Sequence, residues 1–142
     1  MLRLPPRPLV ASALVGAALL LAAPASAQML ASGTWTGTLE RGGEAHAATA
    51  EIGQCTAGFT VALDVAGRTA EVTEDDAAQW GRGRLRFETS RARWPGTLLP
   101  RPLACSLEQD AETGALAGTC RAGRTAYRLR LAPPADAAFG CE

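Results

Sequence analysis

Apolar and polar side chains alternate along most of the chain after residue 32, which is typical of β-strands with one buried face. The clearest example is Gly33–Glu40, where Trp35, Gly37 and Leu39 share one face and threonines occupy the other. Short turn-forming stretches rich in Gly and Pro separate such segments. Eight strands are predicted: 33–40, 45–52, 59–65, 68–73, 84–89, two within 103–121, and 125–132. No helix is predicted after residue 27.

The segment Leu103–Arg121 predicts a β-hairpin with one cysteine on each strand. A polar run ending in glycine, Asp-Ala-Glu-Thr-Gly, suits a hairpin loop of four or five residues. Pairing of Asp110 with Ala115 would set Cys105 opposite Cys120 on one face, within bonding reach.

Eight short strands joined mostly by tight turns predict one all-β domain. Sequential antiparallel neighbours favour an up-and-down order, with the first and last strands side by side. We therefore expect a single eight-stranded antiparallel barrel.

Residues 1–27 have the organisation of a secretory signal peptide. Arg3 and Arg7 precede the uncharged apolar run Leu9–Ala23, which is shorter than a membrane span of about 20 residues. Ala25–Ala27 forms an A-x-A cleavage site. Export is therefore predicted, with a mature protein that begins at Gln28 and is secreted or periplasmic.

The remaining residues, 28–142, have the length of one domain. Every basic residue of the chain is Arg, and the mature part has two more carboxylates than arginines. This nearly neutral balance provides no overall attraction to nucleic acid or membrane. We expect neither partner, and we expect a monomer.

The four cysteines all lie in the exported part, where an even number indicates two disulfides. Three connectivities are possible. The hairpin favours Cys105–Cys120, which leaves Cys55–Cys141. Zinc sites usually contain closely spaced cysteine pairs, which this chain lacks. No metal and no cofactor are expected.

The residues Gly33-Thr34-Trp35 resemble the G-x-W motif on the first strand of lipocalin-like (calycin) barrels. In that family an Arg from the last strand packs over the Trp and closes the base of the barrel. The resemblance implies a structural role for Trp35 and for Arg128 or Arg130. The same stretch is similar to the small G-x-W-x-G-x-L β-domains of secreted bacterial proteins.

A further resemblance is to the periplasmic alkaline-protease inhibitors, which are small barrels with a G-x-W start and a disulfide. They insert an N-terminal segment into a protease cleft. The resemblance implies that role for residues 28–32.

Catalytic motifs are not evident. His46 is the only histidine, and no G-x-S-x-G motif accompanies it. A surface or barrel-rim imidazole is the simpler interpretation. The acidic run Glu74–Asp76 lacks the spaced oxygen ligands of a calcium loop. The sequence predicts a protein that is not an enzyme.

The densest charged feature is a run of arginines near two tryptophans. Trp80, Trp94, Arg84 and Arg86 are the candidate ligand-binding residues, because arginines near aromatic rings can bind an anionic or sugar ligand, or a nucleic acid by charge and stacking. An ordinary outward face of the sheet is the simpler interpretation of the arginines. The tryptophans could equally close the ends of the barrel. The run comprises Arg82, Arg84, Arg86, Arg91, Arg93 and Arg101.

Two functional hypotheses follow. The first is a non-catalytic exported barrel that binds a small apolar or anionic ligand or serves as a scaffold. The alternative is an inhibitor of a secreted or host enzyme, such as a protease.

Overall fold

A computed structural model describes residues 30–55, 58–72 and 78–136. These residues form β-strands and no helix, so the predicted all-β class is confirmed. The predicted signal peptide and Glu74–Asp76 lie outside the described residues. The strands are β1 Gly33–Arg41, β2 Glu44–Cys55, β3 Gly58–Val65, β4 Arg68–Glu71, β5 Gln79–Gly81, β6 Arg84–Glu88, β7 Ala104–Gln109, β8 Leu116–Ala122 and β9 Thr125–Ala132.

All these strands belong to one antiparallel sheet with the order β4-β3-β2-β1-β9-β8-β7-β6-β5. Consecutive strands pair with each other, except that β4 does not pair with β5. In addition, β1 pairs with β9. The up-and-down order and the contact between first and last strands are therefore as predicted. The sheet curls into a half-barrel whose edge strands are β4 and β5.

The predicted number of eight strands is wrong, because the described residues contain a ninth, β5. It has three residues, with Trp80 opposite Leu85 of β6, and is too short to show alternation. Arg82 and Gly83 form the two-residue turn to β6, with φ of 54° and 72°. Turns with two positive φ values favour Asn-Gly or Asp-Gly, so Arg-Gly gave a weak hairpin signal.

The two edges of the curled sheet meet at single points. Isolated bridges join Phe59 to Ala78 and Val72 to Thr89. A backbone hydrogen bond of 2.6 Å from Ser90 N to Glu71 O adds to the second contact. The edges are therefore near each other without a continuous ladder in the described part of the chain.

Buried apolar side chains fill the concave side of the sheet. The inward positions are those that the period-two pattern predicts, such as Leu85 and Phe87 on β6. Trp35 is fully buried, and its indole Nε1 donates a hydrogen bond of 3.0 Å to the carbonyl of Ala31. Leu30 is also fully buried.

The burial pattern of β9 turns Arg128 and Arg130 away from the face of the sheet that holds Trp35. On β9 these arginines alternate with the buried Tyr127 and Leu129 and are exposed on the convex face. Trp35 lies on the concave face, so the sheet separates its ring from both guanidinium groups. A cation–π contact in the core would place a charge in an apolar environment, whereas the outward register keeps it hydrated.

The cysteine hairpin forms in the predicted register. Asp110 N donates to Ala115 O at 2.8 Å, and Cys105 lies opposite Cys120. The two sulfurs are bonded, which confirms this disulfide. In the loop-entropy model a bridge that closes about 15 residues contributes about 3 kcal/mol. The second predicted disulfide, Cys55–Cys141, involves Cys141, which lies outside the described residues.

The turn of this hairpin is held by a side chain. Asp110 Oδ1 accepts hydrogen bonds from the backbone N–H groups of Glu112 and Thr113, at 2.8 and 2.9 Å. These bonds favour the ionised carboxylate and lower the pKa of Asp110.

Two inward glycines mark close approaches between strands. A Cβ atom on Gly37 would overlap the carbonyl oxygen of Arg130 on β9, and one on Gly118 would overlap that of Ser106 on β7. Backbone atoms occupy the space where these side chains would begin, so the local bend of the sheet requires glycine.

We predict that Trp35→Ala lowers the free energy of unfolding by about 3–5 kcal/mol, because it leaves a cavity in the core. Arg128→Ala and Arg130→Ala should each stay within about 0.5 kcal/mol of wild type, since both are exposed. Denaturant unfolding measures all three. A large loss in either arginine variant would contradict the outward register.

We also predict that Gly37→Ala and Gly118→Ala each destabilise the fold by about 1–3 kcal/mol, because the added methyl meets backbone. Gly81→Ala is the matched control, since nothing lies within 4 Å of a Cβ there. Thermal unfolding of the three variants tests the idea, and equal midpoints would refute it.

Candidate functional site

Among the described residues, the concave interior is occupied by large side chains. Trp35, Trp94, Leu63, Leu107 and Leu129 are all buried there or at its ends. The pockets found among the described residues are, by contrast, open grooves at the surface. The candidate sites are therefore on the outside of the molecule.

The first is a groove at the β5–β6 hairpin, called here the arginine groove. Arg84 and Arg86 point outward because they alternate with the buried Leu85 and Phe87. Trp80 is half-buried and packs against the core from the neighbouring strand. The groove has a volume of about 560 Å³ and is lined by Gln79, Trp80, Gly81, Arg82, Arg84 and Arg86.

The charge of the arginine groove is only partly neutralised. Arg84 forms an exposed ion pair with Glu108, which lies opposite it on β7. Arg86 lies between the uncharged Ser106 and Gln79 on the neighbouring strands. Arg86 therefore has no carboxylate directly opposite it on either neighbouring strand.

Trp94 is not part of this groove. It is 2% exposed, and its indole Nε1 donates to the carbonyl of Arg101 at 2.8 Å. Of the two interpretations for the tryptophans, closure of the core applies to Trp94, and a groove-lining aromatic applies to Trp80. Trp94 therefore does not line the arginine groove with Trp80, Arg84 and Arg86.

Trp94 anchors the connection between β6 and β7, residues 90–102, called here the Trp94 loop. Thr89 and Leu103 pair at its base, and Ala92 forms a bridge with Arg101. Within the loop, Thr97 Oγ1 donates to Trp94 O at 2.9 Å. These bonds give an ordered loop without regular secondary structure.

A β-strand also holds the Trp94 loop from outside. The hydroxyl of Tyr127 on β9 donates to the carbonyl of Pro95, and the guanidinium of Arg41 packs on Gly96. Burial raises the pKa of Tyr127, while the nearby charge of Arg41 opposes that change.

The tip of the Trp94 loop exposes two adjacent leucines. Leu98 is 90% and Leu99 62% exposed, and they are the large exposed hydrophobic residues of the described part. Sequence reasoning missed them. The available signal was an apolar pair between Pro95 and Pro100 that does not follow the period-two pattern.

Beside these leucines lies a second groove, called here the loop groove. It has a volume of about 430 Å³ between the loop tip and the β8–β9 turn. Both of its charged side chains, Arg101 and Arg124, are basic. The six-arginine run is thus divided, with Arg91, Arg93 and Arg101 on this loop.

Charge is distributed unevenly over the described chain. Residues 30–72 contain two arginines and five carboxylates, whereas residues 78–136 contain ten arginines and five carboxylates. The near-zero net charge therefore conceals an acidic part and a strongly basic part, and both candidate grooves belong to the basic part.

Other predicted functional features have different positions. The side chain of His46 is 27% exposed, at the rim of the core, with Nε2 3.9 Å from Glu44 Oε2. Leu30 and Ala31 are packed in the core, so this part of the N-terminal segment is not available to enter a protease cleft. Gln28 and Met29 lie outside the described residues.

No group of three metal-ligating side chains occurs within the described ranges. In the same ranges, no helix has the length and apolar character needed to cross a bilayer. Comparison with protein-family models, curated protein sequences and solved structures finds no match to the chain.

We predict that ionisation of Tyr127 lowers the stability of the fold at alkaline pH. Burial raises the pKa of Tyr127 in the folded state. The contribution of Tyr127 to the free energy of unfolding is therefore complete below about pH 10, the pKa in the unfolded chain, and is lost as pH rises through the pKa of the folded state. Tyr127→Phe should cost about 1 kcal/mol at neutral pH and remove this dependence. Urea unfolding of both proteins at neutral and at alkaline pH is the measurement. An equal alkaline loss in both would assign the effect to another group.

Proposed function

We propose that this chain is an exported, non-catalytic binding protein. It is secreted or periplasmic after removal of residues 1–27, and its sheet forms a closed, lipocalin-like barrel. It binds a small anionic ligand in the arginine groove, on the outside of the barrel.

The observation that carries this proposal is the arginine groove itself. Three arginines and the half-buried Trp80 line one open space. A guanidinium binds a carboxylate or phosphate through two parallel hydrogen bonds, and a flat ring can stack on an indole. This combination favours a small ligand with both an anionic group and a ring.

The filled core supports an outer site over an inner one. Lipocalin-like barrels that hold a ligand inside need an unfilled interior. Here Trp35, Leu63 and Leu129 are fully buried on the concave side. A ligand could enter only if these side chains moved apart to open a cavity, which would destabilise the core.

The inhibitor hypothesis has less support in its original form. Its basis was a free N-terminal segment, and Leu30 and Ala31 of that segment are core residues. Removal of residues 28–32 would therefore destabilise the fold. A loss of protease inhibition in such a variant would follow from unfolding as readily as from the loss of a contact with the protease.

The proposal predicts that an anionic aromatic compound binds and that its neutral counterpart does not. The probes are adenosine monophosphate and adenosine, which share a ring and differ in charge. Titration calorimetry should detect the first only. Arg86→Gln should weaken it by about tenfold or more, because a hydrogen bond to a charged group contributes about 1.5–3 kcal/mol.

Arg130→Gln is the matched control, since Arg130 is also an exposed outward arginine, on β9 and outside this groove. It should leave the affinity unchanged. Equal weakening by Arg86→Gln and Arg130→Gln would indicate general attraction by a basic surface. No binding, or equal binding of adenosine, would contradict the proposed anionic site.

A further inference from the structure

The Trp94 loop presents apolar atoms to solvent in a fixed position. Leu98 and Leu99 are exposed, whereas the body of the loop is held by the buried Trp94 and the Ala92–Arg101 bridge. Exposed apolar area on an ordered loop is unfavourable in water, and it marks a surface that meets an apolar environment.

Two arginines, Arg101 and Arg124, line the loop groove together with these leucines, and carboxylates are absent from the loop. Arg93, Arg101 and Arg124 are exposed, and the Arg41 guanidinium packs on Gly96 next to the tip. A Cβ atom on Gly123 would lie 3.7 Å from Arg101 Nε, so the Arg101 side chain reaches the β8–β9 turn. Residues 89–107 contain no Asp or Glu.

We propose that the Trp94 loop docks this protein on an anionic phospholipid surface. Leu98 and Leu99 enter the outer part of the hydrocarbon, and Arg101 and Arg124 bind lipid phosphate in the loop groove. This inference does not depend on the arginine groove or on its ligand.

The charge pattern favours a lipid surface over a protein partner. Apolar tips flanked by basic side chains match the layers of a membrane interface, where guanidinium groups remain at the level of the phosphates. Each basic residue near an anionic leaflet raises the affinity for that leaflet several-fold. The expectation of no membrane contact rested on net charge, which averages the acidic and basic parts of the chain.

Vesicle co-sedimentation at physiological salt tests this proposal. The probes are vesicles of equimolar phosphatidylglycerol and phosphatidylcholine, compared with pure phosphatidylcholine. The protein is purified after export, and all variants share its N-terminus. Wild type should bind the anionic vesicles and bind neutral ones at least about tenfold less.

The double variant Leu98→Ser/Leu99→Ser should lose about tenfold or more in partitioning to anionic vesicles. Leu98→Met/Leu99→Met should keep it, because the side chains stay apolar. Arg101→Gln/Arg124→Gln should lose about tenfold. Arg128→Gln/Arg130→Gln is the control with the same change of charge on the strand face, and it should bind like wild type.

Three results would overturn the proposal. The first is no preference for anionic vesicles. The second is equal weakening in the two double-arginine variants, which would indicate diffuse attraction. The third is a dimer in sedimentation analysis that Leu98→Ser/Leu99→Ser dissociates, which would assign the leucines to contact between copies of the chain. Unchanged unfolding midpoints in all variants exclude misfolding as the cause.

Discussion

The structure depends on one constraint, which is that a single sheet must bury its own apolar face. No second layer covers it in the described residues, so the sheet has to curl until its inward side chains pack against each other. Trp35 and Trp94 are the largest side chains of this buried core. Gly37 and Gly118 permit the close strand approaches that the curvature demands, because any side chain there would meet backbone.

This constraint determines where the molecule can act. Trp, Leu and Val side chains fill the core of the described part, and both candidate surfaces lie on the outside. Each uses an aromatic side chain to connect a surface to the core. Trp80 is half-buried beneath the arginine groove, and Trp94 is fully packed beneath the loop that presents Leu98 and Leu99.

The sheet order also explains how a neutral protein acquires a basic side. The acidic strands β1–β4 and the basic strands β5–β9 form the two halves of the sheet, joined where β1 pairs with β9. Consecutive antiparallel pairing keeps residues that are near in sequence near in space. The excess of carboxylates in β1–β4 and of arginines in β5–β9 therefore gives the two halves of the sheet opposite charge. The electrostatic potential at each surface of this protein is therefore determined by nearby charges and not by the net charge.

The sequence by itself determined the all-β class, the strand faces and the register of the cysteine hairpin. Alternation and turn residues are local properties, and Asp110, Cys105 and Cys120 lie within one hairpin. Only the tertiary structure decided that β5 exists and that Trp94 is buried while Leu98 is exposed. These features depend on how far the sheet curls and on contacts between residues that are distant in sequence. No local pattern of side chains encodes either.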